Sequence, residues 1–285
     1  MSFAGIGEIP TVAVLSQRGG PGTGLPTYTG QADLNFAIHC GHGDFIKFVV
    51  APGDCEEAFY LSALALNMAW KYQIVSIILI DKILSESFYS FDIKLVKDIK
   101  EEKEIFWDKK GEYKRYQYTE NGVSPLTYYG EKNAVVKINS YEHCEFGLAA
   151  EDSEESKKMQ EKRYKKLKSL EKDLEKYELV KVYGNSESKN AIICFGSTKG
   201  VCIEAAIDLG YKVIQPLILN PFPKKEMEKA FKNVSKAVCV EYNITGQLSN
   251  MLKSNGFKID FNILRYDGRT YSVEELKKEI SKVIK

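Results

Sequence analysis

No stretch of the 285 residues comes near the roughly eighteen consecutive apolar side chains that a membrane-crossing helix needs. The strongest apolar run, 74–80, has the length of a strand, so a bilayer span is excluded. The opening Met1-Ser2-Phe3-Ala4-Gly5-Ile6-Gly7-Glu8 lacks the basic stretch and long apolar core of a secretory signal, which predicts a cytoplasmic protein. There is no excess of either charge. Lys plus Arg number 40 against 39 for Asp plus Glu, a formal charge of +1, so no sequence-wide electrostatic footprint for nucleic acid or anionic membrane exists. The six cysteines, Cys40, Cys55, Cys144, Cys194, Cys202 and Cys239, contain no C-x-x-C pair, which excludes a visible disulfide framework and a zinc or iron–sulfur ligand set. Most are expected to be small buried side chains.

What is present is an ordinary globular composition, 44 % apolar and 28 % charged. The length predicts two domains, or one large domain with an appendage. Short β-branched runs at 11–15, 46–50 and 74–80 have few polar interruptions, the pattern of parallel strands buried on both faces. Helical patterns lie between them, at 31–40 and 54–72. The second begins with Asp54 as an N-cap and Glu56 and Glu57 in its first turn. Its apolar residues (Ala58, Phe59, Leu61, Leu64, Leu66, Met68, Trp70) run nearly all round, which predicts a helix sandwiched between layers.

From 94 to 156 the chain turns charged and Tyr-rich, with turn signals at Asn121-Gly122 and Ser124-Pro125 and only a short strand-like run at 134–138. A long charged helix is predicted over 157–177. Its Leu167, Leu170, Leu174 and Tyr177 seam lasts under two heptads, so a single amphipathic helix lying against a domain is favoured over a coiled coil. After 190 a clean alternation follows: strands at 191–195, 212–217, 236–240 and 260–263, helices at 198–209, 224–231, 246–254 and 273–284. These β-α units suffice for a small open α/β domain that should be stable alone. The first ninety residues offer only three strands, which looks like half a domain whose edges and faces need strands from elsewhere.

The segment 17–27, Gln-Arg-Gly-Gly-Pro-Gly-Thr-Gly-Leu-Pro-Thr, follows the first strand, where ligands of parallel sheets bind. It fails the Walker A pattern because Gly19 and Gly24 are followed by Leu25-Pro26 rather than Lys-Ser/Thr. It fails G-x-G-x-x-G because Leu25 and Thr27 stand where a third glycine is needed. What remains is a stiff loop of four glycines and two prolines that presents one cation, Arg18. A guanidinium there suits a small carboxylate, or else holds the loop by a salt bridge.

That segment, with Gln31-Ala32-Asp33-Leu34, resembles the α subunit of the 2-oxoacid:ferredoxin oxidoreductases. So do, in the family's order, His42-Gly43-Asp44, Ala51-Pro52-Gly53, Asn121-Gly122-Val123-Ser124-Pro125, Glu142-His143-Cys144-Glu145-Phe146-Gly147, Lys162-Arg163, Phe195-Gly196-Ser197-Thr198-Lys199-Gly200, Pro221-Phe222-Pro223 and the run 241–248. Gly22, usually serine in that family, is a departure that loosens the loop slightly. The resemblance implies an α/β fold in three parts. Residues 1–93 would be the second half of a thiamine-type pyrimidine-binding domain, 94–184 an insertion with the long charged helix, and 185–285 an open α/β domain like the C-terminal domain of transketolases. It implies oxidative decarboxylation of a 2-oxoacid, such as pyruvate or 2-oxoglutarate, to acyl-CoA with reduction of ferredoxin. Thiamine diphosphate with Mg²⁺ and the iron–sulfur cluster would be held mainly by a partner β subunit, and CoA would be the cosubstrate. The Tyr-Pro-Ile-Thr-Pro segment and the cofactor-protonating glutamate of the family's first half do not occur in this sequence, so either the gene is split or the chain is a fragment; an active assembly would take that half from another polypeptide, and this chain alone would be inactive. A non-catalytic scaffold that keeps the family fold is the alternative.

By the same resemblance Arg18 contacts the substrate carboxylate and Thr27 its oxygen atoms or backbone, with Gly19, Gly20 and Thr23 shaping the pocket. His42 is a candidate neighbour of the active site, with loop capping as the competing role. Glu142, His143 and Glu145 hold only one histidine and fall short of a metal pattern, so no metal ligands are expected and packing or subunit contact is favoured. Thr245 is expected to cap the helix that follows it, with anion binding by the backbone amides of 243–247 as the alternative.

Overall fold

The computed structural model describes residues 1–95 and 100–284. A short helix α1 (Ser2–Ile6) leads into β1 (Thr11–Gln17), α2 (Leu34–His39), β2 (Lys47–Val50), α3 (Cys55–Tyr72), β3 (Val75–Asp81) and α4 (Lys82–Glu86). Strand β3 lies between β1 and β2 and runs parallel to both, with Thr11 and Lys47 each opposite Val75. The first ninety residues hold three strands, as the sequence suggests, and a fourth, β7 (Ile218–Asn220), comes from far along the chain and pairs antiparallel with β2, covering that edge. Strand β1 remains an outer strand, with Val14 61 % exposed.

Asp54 caps α3 by accepting from the Glu57 backbone N–H at 2.9 Å. The helix buries Leu61, Leu64, Met68 and Tyr72, and each such side chain contributes roughly 1.5–3 kcal/mol. It is not sandwiched. Phe59, Leu66 and Trp70 are exposed, because sheet and helix neighbours cover only its inner side among the described residues.

The stretch 100–152 is irregular, and 134–138 forms no strand. The long helix α5 (Ser153–Leu174) starts earlier than its hydrophobic seam suggests, because Asp152 caps it through the Glu155 N–H at 2.9 Å. It lies against the first sheet as a single amphipathic helix. Its buried face includes Lys162, Arg163 and Lys166 besides Met159, Leu170 and Leu174.

The second sheet has the order β4-β6-β5-β8-β9. Its strands are β4 (Val180–Gly184), β5 (Asn190–Ile193), β6 (Lys212–Pro216), β8 (Lys236–Glu241) and β9 (Phe261–Leu264). The helices α6 (Thr198–Leu209), α7 (Lys224–Ala230), α8 (Gln247–Ser254) and α9 (Val273–Val283) alternate with them. The β-α alternation is as the sequence suggests, with one addition. Strand β4, from within 94–184, runs antiparallel along all of β6 and forms an edge of the sheet. One buried cluster joins the two sheets, since Ala37, Val49 and Ile77 share it with Ile193, Phe195 and Ile214. No helix among the described residues is long and apolar enough to cross a membrane.

Candidate substrate site at the strand ends

Strands β1, β2 and β3 of the first sheet are parallel, so the loops that leave them gather at one edge. The segment 18–30 leaves β1 there and folds back on itself. Leu25 N–H donates to the Gly19 carbonyl at 2.6 Å, and a Cβ on Gly24 would lie 2.0 Å from that oxygen, so only glycine fits. Gly22 has a φ of +62° with open space around it, a backbone that a serine would adopt with strain. Gln17 accepts from the Asp33 N–H at 3.0 Å and fastens the base of the loop to α2.

Arg18 stands at the mouth of this loop, exposed. Its Nη2 donates only a long 3.4 Å bond to the Gly22 carbonyl, and no carboxylate lies within ion-pairing distance among the described residues. Asp33 is close enough to feel the guanidinium. Burial pushes its carboxyl above the ordinary range, and the Arg18 charge opposes this. Gly19, Gly20, Thr23 and Thr27 lie in the same loop, so the structure brings these residues together with Arg18. His42 is not among them. It precedes β2 and therefore lies at the opposite edge of the parallel sheet, roughly 20 Å away along a seven-residue strand. There its backbone N–H donates to Ser2 Oγ at 2.6 Å.

Behind the loop is a polar layer that sequence reasoning missed. Gln31 donates to the Phe195 carbonyl at 2.7 Å and accepts from the Tyr242 N–H at 3.0 Å, so the end of the loop is tied to the second sheet. Asp81, the last residue of β3, accepts from the Ser197 hydroxyl and backbone N–H, and from Ile83 and Leu84 N–H as the cap of α4. Burial raises its carboxyl above the usual range, with those hydrogen bonds pulling the other way. The only sequence signal for Asp81 was an acid ending a buried strand.

Thr245 does not cap α8. Asn243 Oδ1 accepts from the N–H groups of Thr245, Gly246 and Gln247, and the buried Glu241 carboxylate accepts from Leu248 and Ser249 N–H at 2.8 and 3.0 Å. A carboxylate thus occupies the amides of that helix start. The segment 142–147 is structural, as its single histidine suggests. Glu142 forms a two-point pair with Arg163, at 2.8 and 2.5 Å, and Glu145 pairs with Lys114 at 2.8 Å. His143 packs on the Tyr116 ring at 3.9 Å, and burial pulls its imidazole below the ordinary value.

Among the described residues no group of three or more His, Cys, Asp or Glu side chains is placed to hold a metal ion. The Leu248 and Ser249 amides at the start of α8 are taken by Glu241, and the Ser197 amide before α6 by Asp81. The start of α8 therefore does not fit a metal–diphosphate group.

The family model described as "Pyruvate flavodoxin/ferredoxin oxidoreductase, thiamine diP-bdg" matches residues 1–163. The 2-oxoacid:ferredoxin oxidoreductase subunit alpha of Saccharolobus solfataricus is 40 % identical over 294 residues, covering 100 % of this chain and 46 % of the relative. The 2-oxoglutarate synthase subunit KorA of Methanocaldococcus jannaschii is 27 % identical over 293 residues, covering 98 % of this chain and 75 % of the relative. Among solved structures, the 2-oxoglutarate:ferredoxin oxidoreductase of Magnetococcus marinus, with 2-oxoglutarate, coenzyme A and succinyl-CoA bound, superposes with a TM-score of 0.88. That similarity has 31 % identity and covers 100 % of this chain and 50 % of the other. The chain spans about half the length of the first of these relatives and of the solved structure. With a family match that takes in the glycine-rich loop and the strands β1, β2 and β3 behind it, the chain belongs to the thiamine diphosphate-binding family of pyruvate flavodoxin/ferredoxin oxidoreductases.

Proposed function

We propose that this chain supplies the substrate-carboxylate side of a 2-oxoacid:ferredoxin oxidoreductase and acts within an assembly. The observation that carries this reading is Arg18: a guanidinium on a rigid loop at the carboxyl ends of parallel strands, with no carboxylate of its own among the described residues. Decarboxylation of a 2-oxoacid requires the leaving carboxylate to be held in a fixed orientation, and a planar two-donor fork does that work. Thr27 lies on the same loop and offers a hydroxyl to the substrate oxygens, while Gly19, Gly20 and Thr23 let the backbone approach.

In this reading thiamine diphosphate with Mg²⁺ and the iron–sulfur cluster belong mainly to a partner β subunit, CoA accepts the acyl group and ferredoxin the electrons. The outer strand β1, with its exposed Val14, supports pairing with strands of another chain that completes the sheet. Co-expression with candidate partner subunits tests the assembly. The purified complex is expected to retain thiamine diphosphate and to reduce a viologen dye when a 2-oxoacid and CoA are added, while the isolated chain does neither. A complex that forms without cofactor or dye reduction supports the scaffold instead.

A further inference from the structure

We propose that Arg269 is a second anion-recognition residue beside the Arg18 loop, taking a carboxylate or phosphate group of a ligand that binds there. The inference rests on the reading of Arg18 given above and extends it to the second sheet's own residues.

The chain has five arginines, and three are committed to internal acceptors. Arg115 donates to Gln73 and to the Gly7 and Glu8 carbonyls, Arg163 pairs with Glu142, and Arg265 pairs with Glu275. The remaining two, Arg18 and Arg269, flank one loop. Arg269 is exposed on the segment between β9 and α9, and its guanidinium carbon lies 3.9 Å from the centroid of the Tyr28 ring. The nearest acid in sequence, Asp267, accepts from the Arg269 backbone N–H and faces the Arg265 guanidinium at 3.5 Å, so it leaves the Arg269 fork without a carboxylate. A guanidinium placed over an aromatic ring is held there by the ring while its N–H groups remain available to an acceptor.

The surroundings fit an anion. Arg269, Thr27, Tyr28, Thr29 and Lys82 line one open cavity of about 330 Å³, a size that accommodates a small ligand group. Glu86 also lines the cavity, but it is salt-bridged to Lys82, so the Arg269 charge is the uncompensated one. Thr29 is 5 % exposed and its Oγ1 has no hydrogen-bond partner among the described residues. Gly268 brings this segment against Leu25 and Tyr28, since a Cβ there would lie 2.8 Å from a carbon of each. Arg269, carried by the second sheet, thus packs on Tyr28 of the same loop that begins with Arg18.

A second anionic group has two sources, the far carboxylate of a dicarboxylic 2-oxoacid or a phosphate of the acyl acceptor. Isothermal titration of the purified full chain with 2-oxoglutarate, glutarate, pyruvate and adenosine 3′,5′-bisphosphate separates them. Binding of the dicarboxylates but not of pyruvate identifies the first source, and binding of the bisphosphate the second. In either case Arg269→Gln is expected to weaken binding by about tenfold or more, Arg269→Lys by less, and Tyr28→Leu by an intermediate amount. Arg18→Gln should weaken the dicarboxylates and leave the bisphosphate unchanged. An Arg269→Gln chain that binds as the wild type does overturns the proposal, as does a wild-type chain that binds none of these anions at millimolar concentration. If anion binding depends on Arg269 but the assembled complex never turns over a 2-oxoacid, the catalytic reading fails and this one stands.

Discussion

A cation that follows a strand without a carboxylate partner among the described residues should reveal itself in kinetics rather than in melting. If Arg18 pairs with the substrate carboxylate in a partly desolvated site, Arg18→Ala in the assembled enzyme should cost on the order of 2 to 5 kcal/mol, roughly a 30-fold to several-thousand-fold drop in kcat/KM. Arg18→Lys should recover part of it, because charge returns without the fork. Unchanged kinetics in Arg18→Ala would remove the residue from the site. Glu57 is the converse case, a charge whose work is internal. It is 3 % exposed and accepts from Lys199 at 2.8 Å, Lys181 at 3.0 Å, Gln215 at 2.8 Å and Gly53 N–H at 2.7 Å. Burial alone would raise its pKa, but Lys199 and the other donors outweigh burial and hold it at about 2, below the ordinary 4.5. A depressed carboxylate contributes its stability above the unfolded value and loses it as pH falls from about 4.5 toward 2, here about 3 kcal/mol in all. Glu57→Gln should therefore lower the urea midpoint at neutral pH and flatten its fall in that acid window. An equally steep fall in the variant would assign the acid sensitivity to other groups. Arg18 was legible in the sequence because its glycines and prolines are local. Glu57, Asp81 and Arg269 were not, because what defines them arrives from far along the chain, as Lys199 does from 142 residues away.

The long helix α5 shows how an element can be legible while its packing is not. Its length, charge and short leucine seam marked an amphipathic helix, yet two of its charged residues, Lys162 and Lys166, are 2 % exposed. Both reach Glu8, at 2.6 and 2.5 Å, on the turn that precedes β1. Burial would push the Glu8 carboxyl up, but the two ammonium groups hold it well below the usual range. Burial in turn pulls Lys166 down to about 7, against the attraction of Glu8. Removing the anion from such a cluster leaves two cations facing each other out of water, so Glu8→Gln should cost about 3 to 5 kcal/mol and release α5 from the sheet. Combining it with Lys162→Met and Lys166→Met should restore much of the loss, since apolar side chains of similar volume need no counter-charge. Urea unfolding followed by far-UV circular dichroism checks both. A Glu8→Gln chain as stable as the wild type would show that the cluster is not what fastens the helix. Two strands escaped the sequence for related reasons. Strand β4 has a Val-Lys-Val-Tyr alternation that the neighbouring charged helix obscured, and β7 is only Ile218–Asn220, too short for a periodic signal.

At the scale of the molecule, the sequence divides more cleanly than the structure does. The β-α alternation after residue 190 suggests a unit that stands alone, and the first ninety residues suggest one that cannot. The folded chain interleaves them. Strand β7 leaves the second half to close the β2 edge, β4 comes from the connecting stretch to pair with β6, and Glu57 on α3 is held by Lys199 on α6. The central apolar cluster draws on both sheets, so separating them would expose Phe195, Ile214 and Ile77 together. Interactions of this kind couple the stability of the halves, and the described chain should unfold in one cooperative transition. Its two tryptophans offer a direct test. Trp70 lies on α3 and Trp107 in the irregular stretch, so fluorescence reports the first part of the chain, whereas the helices and strands on both sides of residue 185 contribute to the far-UV signal. Coincident urea midpoints by the two probes are the expected result. A fluorescence transition completed before the far-UV signal falls would mean that the second sheet survives by itself, and that β4, β7 and the Glu57 network fasten the halves less firmly than their burial implies.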